Sequence, residues 1–195
     1  MSTANIAGAS DAFWRDPVER AKSDPAAFGQ LYDRYAGQIY RFVRARVRDD
    51  GLAEDITAEV FLSALRNING YQDQGRPFSC WLYRIAVNAV ASHYRRQRSP
   101  LALDEQRDLV SPLLDPLDEV VGRERIRTVW QAVDRLPAQQ RAAMILKFSE
   151  DLTMEEVGSV LGKSPAAAKL LIYRAVQRLR RDLAPVAVAE LALAS

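Results

Sequence analysis

Residues 152–181 read LTMEEVGSVLGKSPAAAKLLIYRAVQRLRR, and the punctuation of this stretch decides the fold. Thr153-Met154-Glu155-Glu156 has the form of a capping box, in which the Thr hydroxyl takes the N–H three residues on and the Glu reaches back. A short helix with Val157, Val160 and Leu161 inward is expected to follow. Gly162 supplies the left-handed residue that closes a helix. Ser164 then caps a second helix and Pro165 takes its first position, where a missing N–H costs nothing. Ala168, Leu171, Ile172, Ala175, Val176 and Leu179 form the apolar stripe of that second helix. Short helix, glycine turn and longer helix make a helix-turn-helix.

The second of these helices is basic: Lys163, Lys169, Arg174, Arg178, Arg180 and Arg181 stand against the single acid Asp182. A helix of this kind fits a DNA major groove, with cations on phosphates and N-terminal residues near base edges. The plain alternative is a helical hairpin with a solvated basic face.

Working back toward the N-terminus, apolar residues keep helical spacing and strand alternation is nearly absent, so the chain is expected to be all-α. Asp16-Pro17, Asp24-Pro25 and Asp115-Pro116 each read as a helix start, Asp capping and Pro entering. One helix is expected from Pro25 to about Arg48, stopped by Asp49-Asp50-Gly51. A second runs from about Leu52 to Asn67, with Leu52, Ile56, Val60, Ala64, Leu65 and Ile68 as its core stripe and Glu54, Asp55 and Glu59 on another side. That acidic side is either simply solvated or a dock for a basic partner helix. After a turn-rich loop over residues 69–75, a third helix opens near Pro77 and reaches about Gln97. From Arg76 to Arg98 it carries Arg76, Arg84, Arg95, Arg96 and Arg98 and no acid, with Phe78, Trp81, Tyr83, Tyr94 and His93 interleaved. Rings and cations together suit single-stranded nucleic acid, although Phe78 and Trp81 also sit where core residues belong.

Residues 99–122 change character. Asp104, Glu105, Asp108, Asp115, Asp118 and Glu119 face the lone base Arg107, and Pro100, Pro112 and Pro116 interrupt local structure. The expected architecture is therefore two helical domains joined by an acidic, flexible linker, the C-terminal domain being the helix-turn-helix. The corresponding division is an extension over 1–23, a domain over 24–98, the linker over 99–122, a domain over 123–183 and a tail over 184–195.

The bulk composition narrows the function classes. With 195 residues, 48% hydrophobic and 27% charged, the chain has ordinary globular character. Its net charge of +2 says less than the distribution of that charge. A single Cys80 excludes an internal disulfide and suits a reducing compartment. One Cys and one His are too few for a structural zinc site, so no metal is expected. Residues 1–11 lack the basic and apolar segments of a secretory signal, and the apolar run from Leu183 to Ala194 is shorter than the ~20 residues a bilayer needs. The expected location is the cytoplasm. There is no glycine-rich phosphate loop, metal cluster or nucleophile elbow, so no catalytic residue, cofactor or small-molecule substrate is expected.

Three ordered blocks resemble the sigma-70 family of bacterial RNA polymerase initiation factors, in particular its small extracytoplasmic-function (ECF) group. Ala53-Glu54-Asp55-Ile56-Thr57-Ala58-Glu59-Val60-Phe61 is similar to the core-polymerase-binding helix of region 2.2. Phe78-Ser79-Cys80-Trp81-Leu82-Tyr83-Arg84-Ile85-Ala86-Val87-Asn88, followed by Tyr94-Arg95-Arg96, resembles regions 2.3 and 2.4. Leu136-Pro137 through Leu179-Arg180 resembles region 4, and the likeness extends over roughly residues 25 to 183. It implies that Glu54, Asp55, Glu59 and Phe61 bind core RNA polymerase. It implies that Trp81, Arg84, Asn88, His93, Tyr94, Arg95 and Arg96, with the 69–75 loop, bind the melted −10 element of promoter DNA. Ser164, Pro165, Ala166, Ala167, Lys169, Leu170, Tyr173 and Arg174 are implied to meet the −35 duplex. The linker is implied to thread toward the polymerase's nucleic-acid channel, and an anti-sigma factor is an implied partner.

The sequence departs from the family at several positions. Ala58 stands where Gln is usual and Ser92 where Asp is frequent. Leu170 and Leu171 replace the common Ser and Arg, which implies less polar base readout and more reliance on backbone contacts and DNA shape. Three other functions compete. A free-standing helix-turn-helix regulator would bind duplex DNA tightly unaided. An enzyme would have to rest on His93 or Cys80. An adaptor that binds polymerase but no DNA leaves the two Arg-rich helices without a role.

Overall fold

A computed structural model describes residues 17–47, 49–97 and 128–193, with side chains as far as residue 184. Every regular element among them is a helix, and their contacts fall into two compact units, residues 17–97 and residues 128–193. The acidic linker, Asp16, Asp115-Pro116 and most of the N-terminal extension lie outside the described residues.

In the first unit a short helix α1 (17–21) precedes α2 (Pro25–Val47). The Asp24 carboxylate accepts the Ala26 N–H at 2.9 Å, as the Asp-Pro reading requires. Helix α3 spans Asp50–Asn67 and passes into a 3-10 turn, Ile68–Gly70; α4 spans Phe78–Gln97. Helix α2 ends at Val47 ahead of the Asp49-Asp50-Gly51 stretch, as expected, but the same stretch also opens the next helix. Asp49 is the N-cap of α3, its carboxylate accepting the Leu52 N–H at 2.7 Å, so α3 begins two residues earlier than expected. A cap has the composition of a breaker because both jobs need a side chain that competes with the helical backbone.

The core of this unit is aromatic and aliphatic. Leu31, Ile39, Phe42 and Val43 of α2, Ala53, Ile56, Val60 and Ala64 of α3, and Leu82, Tyr83, Ala86 and Val90 of α4 are buried together. Phe42 meets Tyr83 edge-on at 5.1 Å, and Phe78 packs on Tyr35 at 5.7 Å, Tyr71 at 5.2 Å and Trp81 at 5.4 Å. Such pairs add roughly 0.5–1.5 kcal/mol each beyond the area they bury. The phase of α3 differs from the expected stripe: Leu65 is 40% exposed and Leu52 half-buried, while Ala53, Thr57 and Phe61 turn inward. The reason is tertiary, because Phe28 and Tyr32 of α2 hold the Phe61 ring at 6.4 and 4.8 Å and fix the rotation of the helix. The buried Thr57 hydroxyl is satisfied by donating to the Ala53 carbonyl at 2.6 Å.

The second unit contains α5 (128–134), α6 (Ala138–Phe148), α7 (Met154–Leu161) and α8 (Pro165–Leu193). Thr153 and Glu156 form the reciprocal capping box, and Gly162 closes α7 at φ 65°, ψ 39°. Ala142, Ile145 and Leu146 of α6, Val157 and Val160 of α7, and Ala168, Ile172, Ala175 and Leu179 of α8 fill the interior. The α8 backbone remains helical to Leu193, so no break in secondary structure falls at residue 184, where the tail was expected to begin.

Gly158 is a further constraint on this unit. A Cβ there would lie 2.7 Å from the Lys163 carbonyl oxygen and 3.2 Å from the Ser164 carbonyl carbon. The glycine therefore sets how closely α7 approaches the turn, a contact closed by the Lys163 N–H donating to the Gly158 carbonyl at 2.8 Å. Gly158→Ala is expected to destabilise the second unit by about 1–3 kcal/mol. Gly29→Ala, at an exposed helical site with nothing within 4 Å of the added carbon, is expected to stabilise by about 0.5–1 kcal/mol. Chemical denaturation of the full chain reads both, and equal midpoints for Gly158→Ala and wild type would refute the close approach.

Candidate nucleic-acid interface

With Ala53, Ile56, Val60 and Ala64 turned inward, the outer face of α3 is left to Glu54, Asp55, Ala58 and Glu59, all exposed. Phe61, expected among the partner-binding residues, is only 4% exposed and belongs to the core. Its ring is held by Phe28 and Tyr32 and is not available to a partner. In its place the structure exposes Leu62 (52%) and Leu65 (40%), which continue the Asp55–Glu59 line at helical spacing. The sequence signal for them was present, since apolar residues recur on two sides of α3, but periodicity alone does not say which side is covered.

The entry to α3 is clasped to α2. Arg44 donates from Nε to the Asp50 carboxylate, and the Tyr40 hydroxyl donates to the same oxygen at 3.2 Å. The Arg44 hydrogen bond holds the Asp50 carboxyl below its ordinary value, with partial desolvation opposing it and the Tyr40 bond adding to the lowering. Desolvation, followed by the bond to Asp50, raises the Tyr40 phenol. This clasp orients the first turn of the helix that carries the acidic face.

Helix α4 sorts its expected residues into three groups. Trp81 is half-buried, stacked at a tilt on Tyr71 (5.1 Å) and Phe78. Arg84 and Asn88 are exposed. At the C-terminal end, the Tyr94 hydroxyl donates to the Arg46 carbonyl at 3.0 Å, fixing an exposed ring against α2, while Arg46 itself is buried with its guanidinium 5.2 Å over the Phe42 ring. His93, which the resemblance implied as a −10 contact, is half-buried, packs edge-on to Tyr94 at 5.9 Å, and its Nε2 is enclosed. Arg95 and Arg96 are exposed. Arg95 donates to the Ser92 hydroxyl at 2.7 Å, and Arg96 lies 3.8 Å from Glu59 of α3. Glu59, Ser92, Arg95 and Arg96 line one open depression, so the acidic face of α3 and the basic end of α4 adjoin.

In the second unit the Ser164 hydroxyl accepts the Ala167 N–H at 3.2 Å and starts α8 as read from the sequence. Pro165, Ala166, Lys169, Leu170, Tyr173 and Arg174 are exposed and Ala167 is half-buried, opposite the buried Ala168, Ile172 and Ala175. Arg178, Arg180 and Arg181 extend the exposed positive charge along the helix. Cys80 is buried. Among the described residues no cluster of His, Cys, Asp or Glu is placed to hold a metal ion, and no helix is long and apolar enough to cross a membrane.

Residues 31–99 match Sigma-70 region 2, and residues 126–179 match Sigma-70 region 4. The chain is 31% identical over 172 residues to the ECF RNA polymerase sigma factor SigW of Bacillus subtilis, covering 83% of this chain and 91% of that one. The chain belongs to the ECF RNA polymerase sigma factors. It is 41% identical over 169 residues to the ECF sigma factor BldN of Streptomyces coelicolor, covering 85% of this chain but 64% of the relative's length. Its fold is that of CnrH, solved in complex with the cytosolic domain of CnrY, at a TM-score of 0.65 and 23% identity over 88% of this chain and 97% of that one. The sigma factor RpoE of Bartonella quintana, solved with the anti-sigma factor NepR, shares that fold at a TM-score of 0.62 and 21% identity over 79% and 94% of the two chains. In this ECF sigma factor α3 and α4 lie within the region 2 match, and α6, α7 and the start of α8 within the region 4 match.

The Asp50 clasp generates a titration with a definite sign. A carboxyl lowered in the folded state contributes stability that is present above its unfolded pKa and lost as pH falls through the folded pKa. The Asp50 side-chain carbon is therefore expected to titrate below the ordinary aspartate value by NMR, and Arg44→Gln is expected to move its midpoint up. A midpoint indifferent to Arg44→Gln would refute the clasp.

Proposed function

We propose that this ECF sigma factor docks on core RNA polymerase through the outer face of α3 and uses α4 and α8 to engage promoter DNA. The observation that carries the reading is the division of α3 into two faces. Its inner face is packed between α2 and α4, and its outer face presents Asp55, Glu59 and Glu54 beside the exposed Leu62 and Leu65. Acids around exposed leucines suit a basic, amphipathic partner helix, because charge sets register and apolar area supplies affinity. Ala58 sits within that face without a polar group of its own. Leu62 takes the place first given to Phe61.

Next to that face, Ser92, Arg95 and Arg96 line a depression with Glu59 at its α3 edge, and its two arginines suit a phosphate or an unstacked base of the −10 element. Trp81, Arg84, Asn88 and Tyr94 lie on the same helix, and the 69–75 loop leads into it. Ser164, Pro165, Ala166, Ala167, Lys169, Leu170, Tyr173 and Arg174 at the head of α8 meet the −35 duplex. The polymerase-binding and −10 functions belong to a domain over 24–98, and −35 binding to a domain over 123–183, with residues 99–122 between them.

In this reading the chain catalyses no reaction of its own, needs no cofactor, metal or small-molecule substrate, and works in the cytoplasm. By analogy with RpoE of Bartonella quintana, which was solved with the anti-sigma factor NepR, an anti-sigma factor is also a partner of this chain.

Co-elution with bacterial core RNA polymerase tests the proposal. Wild type is expected to co-elute, and Asp55→Lys combined with Glu59→Lys is expected to abolish it. Leu62→Asp is expected to weaken it by about tenfold or more, the loss that follows from desolvating a charge at an apolar contact. Arg95→Ala combined with Arg96→Ala is expected to leave co-elution intact while lowering promoter opening by about tenfold. Undiminished co-elution of the charge-reversed chain would contradict the α3 interface. Tight duplex binding by the free chain would favour a free-standing regulator.

A further inference from the structure

The exposed face of α8 has an unexpected composition for a helix that enters a major groove. At roughly 100° per residue, Ala166, Leu170 and Tyr173 fall within about 60° of one another around the helix. Leu170 is 46% and Tyr173 60% exposed, and Ala166 is exposed beside them. Lys169 flanks this apolar strip on one side and Arg174 on the other, both exposed, with Arg178 farther along. Directly opposite, Ala168, Ile172, Ala175 and Leu179 are buried, so the rotation of the helix is fixed and the apolar strip cannot be turned inward. The capping box, the Gly162 turn and the Ser164 cap hold the same geometry from the N-terminal side.

From Ala166 to Tyr173 the strip has none of the side chains that read bases through paired hydrogen bonds, no Arg or Lys for guanine and no Asn or Gln for adenine; the half-buried Gln177 continues its line only one turn farther from the head of the helix. The apolar group a major groove offers is the thymine 5-methyl, and Ala, Leu and aromatic carbons are its natural contacts. Lys169 and Arg174 lie on opposite margins of the strip, where long cationic side chains can reach the phosphates that border a groove. We infer that the −35 recognition helix of this chain reads thymine 5-methyl groups through Leu170, with Ala166 and Tyr173 beside it, while Lys169 and Arg174 hold the duplex at its edges. This rests on the promoter-binding reading above. It replaces the expectation that Leu170 merely weakens base readout: the leucine reads directly, by apolar contact.

Deoxyuridine differs from thymidine only by the absent methyl group, and so it isolates this contact without changing the protein. A holoenzyme of the full chain and core polymerase is used to select duplexes from a library randomised over the upstream promoter element. The selected duplex is then compared with a copy carrying deoxyuridine at each thymidine of that element. Wild-type holoenzyme is expected to bind the deoxyuridine copy more weakly, by about fourfold per methyl group removed from contact. The Leu170→Ala holoenzyme is expected to bind the thymidine duplex more weakly and to discriminate less between the two. Leu170 is exposed, so the substitution leaves the core of the unit untouched. Equal wild-type binding to both duplexes, with sequence selection intact, would overturn methyl reading. Selection of no sequence at all by a holoenzyme that does assemble would overturn the −35 reading itself.

Discussion

The structure of the first unit depends on which face of α3 is buried. Ala53, Ile56, Thr57, Val60, Phe61 and Ala64 meet α2 and α4, and the Phe61 ring wedged against Phe28 and Tyr32 fixes the helix in rotation. A rotation of about 100° would move every side chain by one position around the helix and exchange the acidic face for a mixed one. The same packing brings Glu59 beside Arg96, so the acidic face of α3 and the basic end of α4 are placed by one set of apolar contacts. That ion pair is exposed on both sides and adds little stability by itself. Its value lies in showing where the two faces meet.

The second unit is built on different physics. Its core is small and aliphatic, and its geometry is set by backbone chemistry at the ends of short helices. The capping box starts α7, Gly162 ends it, Gly158 lets the following turn lie close against it, and Ser164 starts α8. Each device acts within a few residues, which is how a helix of eight residues holds its place. The outcome is a rigidly phased α8 whose exposed surface is an apolar strip bordered by cations. The outer face of α3 thus presents acids around leucines and the outer face of α8 presents leucine and tyrosine between cations, surfaces of opposite charge.

Local chemistry made much of this legible beforehand. The Thr153–Glu156 box, the Gly162 turn, the Ser164 cap and the Asp24-Pro25 start are written in neighbouring residues and appear where they were read. What was not legible depends on residues distant in the chain. Phe61 and Leu65 are both apolar and stand four residues apart, one helical turn; only the position of α2 decides that Phe61 goes inside and Leu65 outside. His93 sits among exposed arginines in sequence yet turns toward the protein in space. Asp49 follows the end of α2, as read, and is also the cap of the next helix, a second role that its carboxylate chemistry left unmarked. Gly158 carried no signal at all, since its small size matters only against the turn that folds back on it.

The central claim is that the two faces work together on a polymerase-bound promoter, and strand opening tests it most directly. Thymines in melted DNA become reactive to permanganate, while those in duplex remain protected by stacking. A promoter fragment selected by the holoenzyme is expected to show a short reactive tract downstream of its −10 element only when this chain and core polymerase are both present. Arg95→Ala combined with Arg96→Ala is expected to weaken that tract by about tenfold while the complex still forms. A reactive tract produced by core polymerase alone, or its absence from a complex that binds the promoter stably and specifically, would contradict the account.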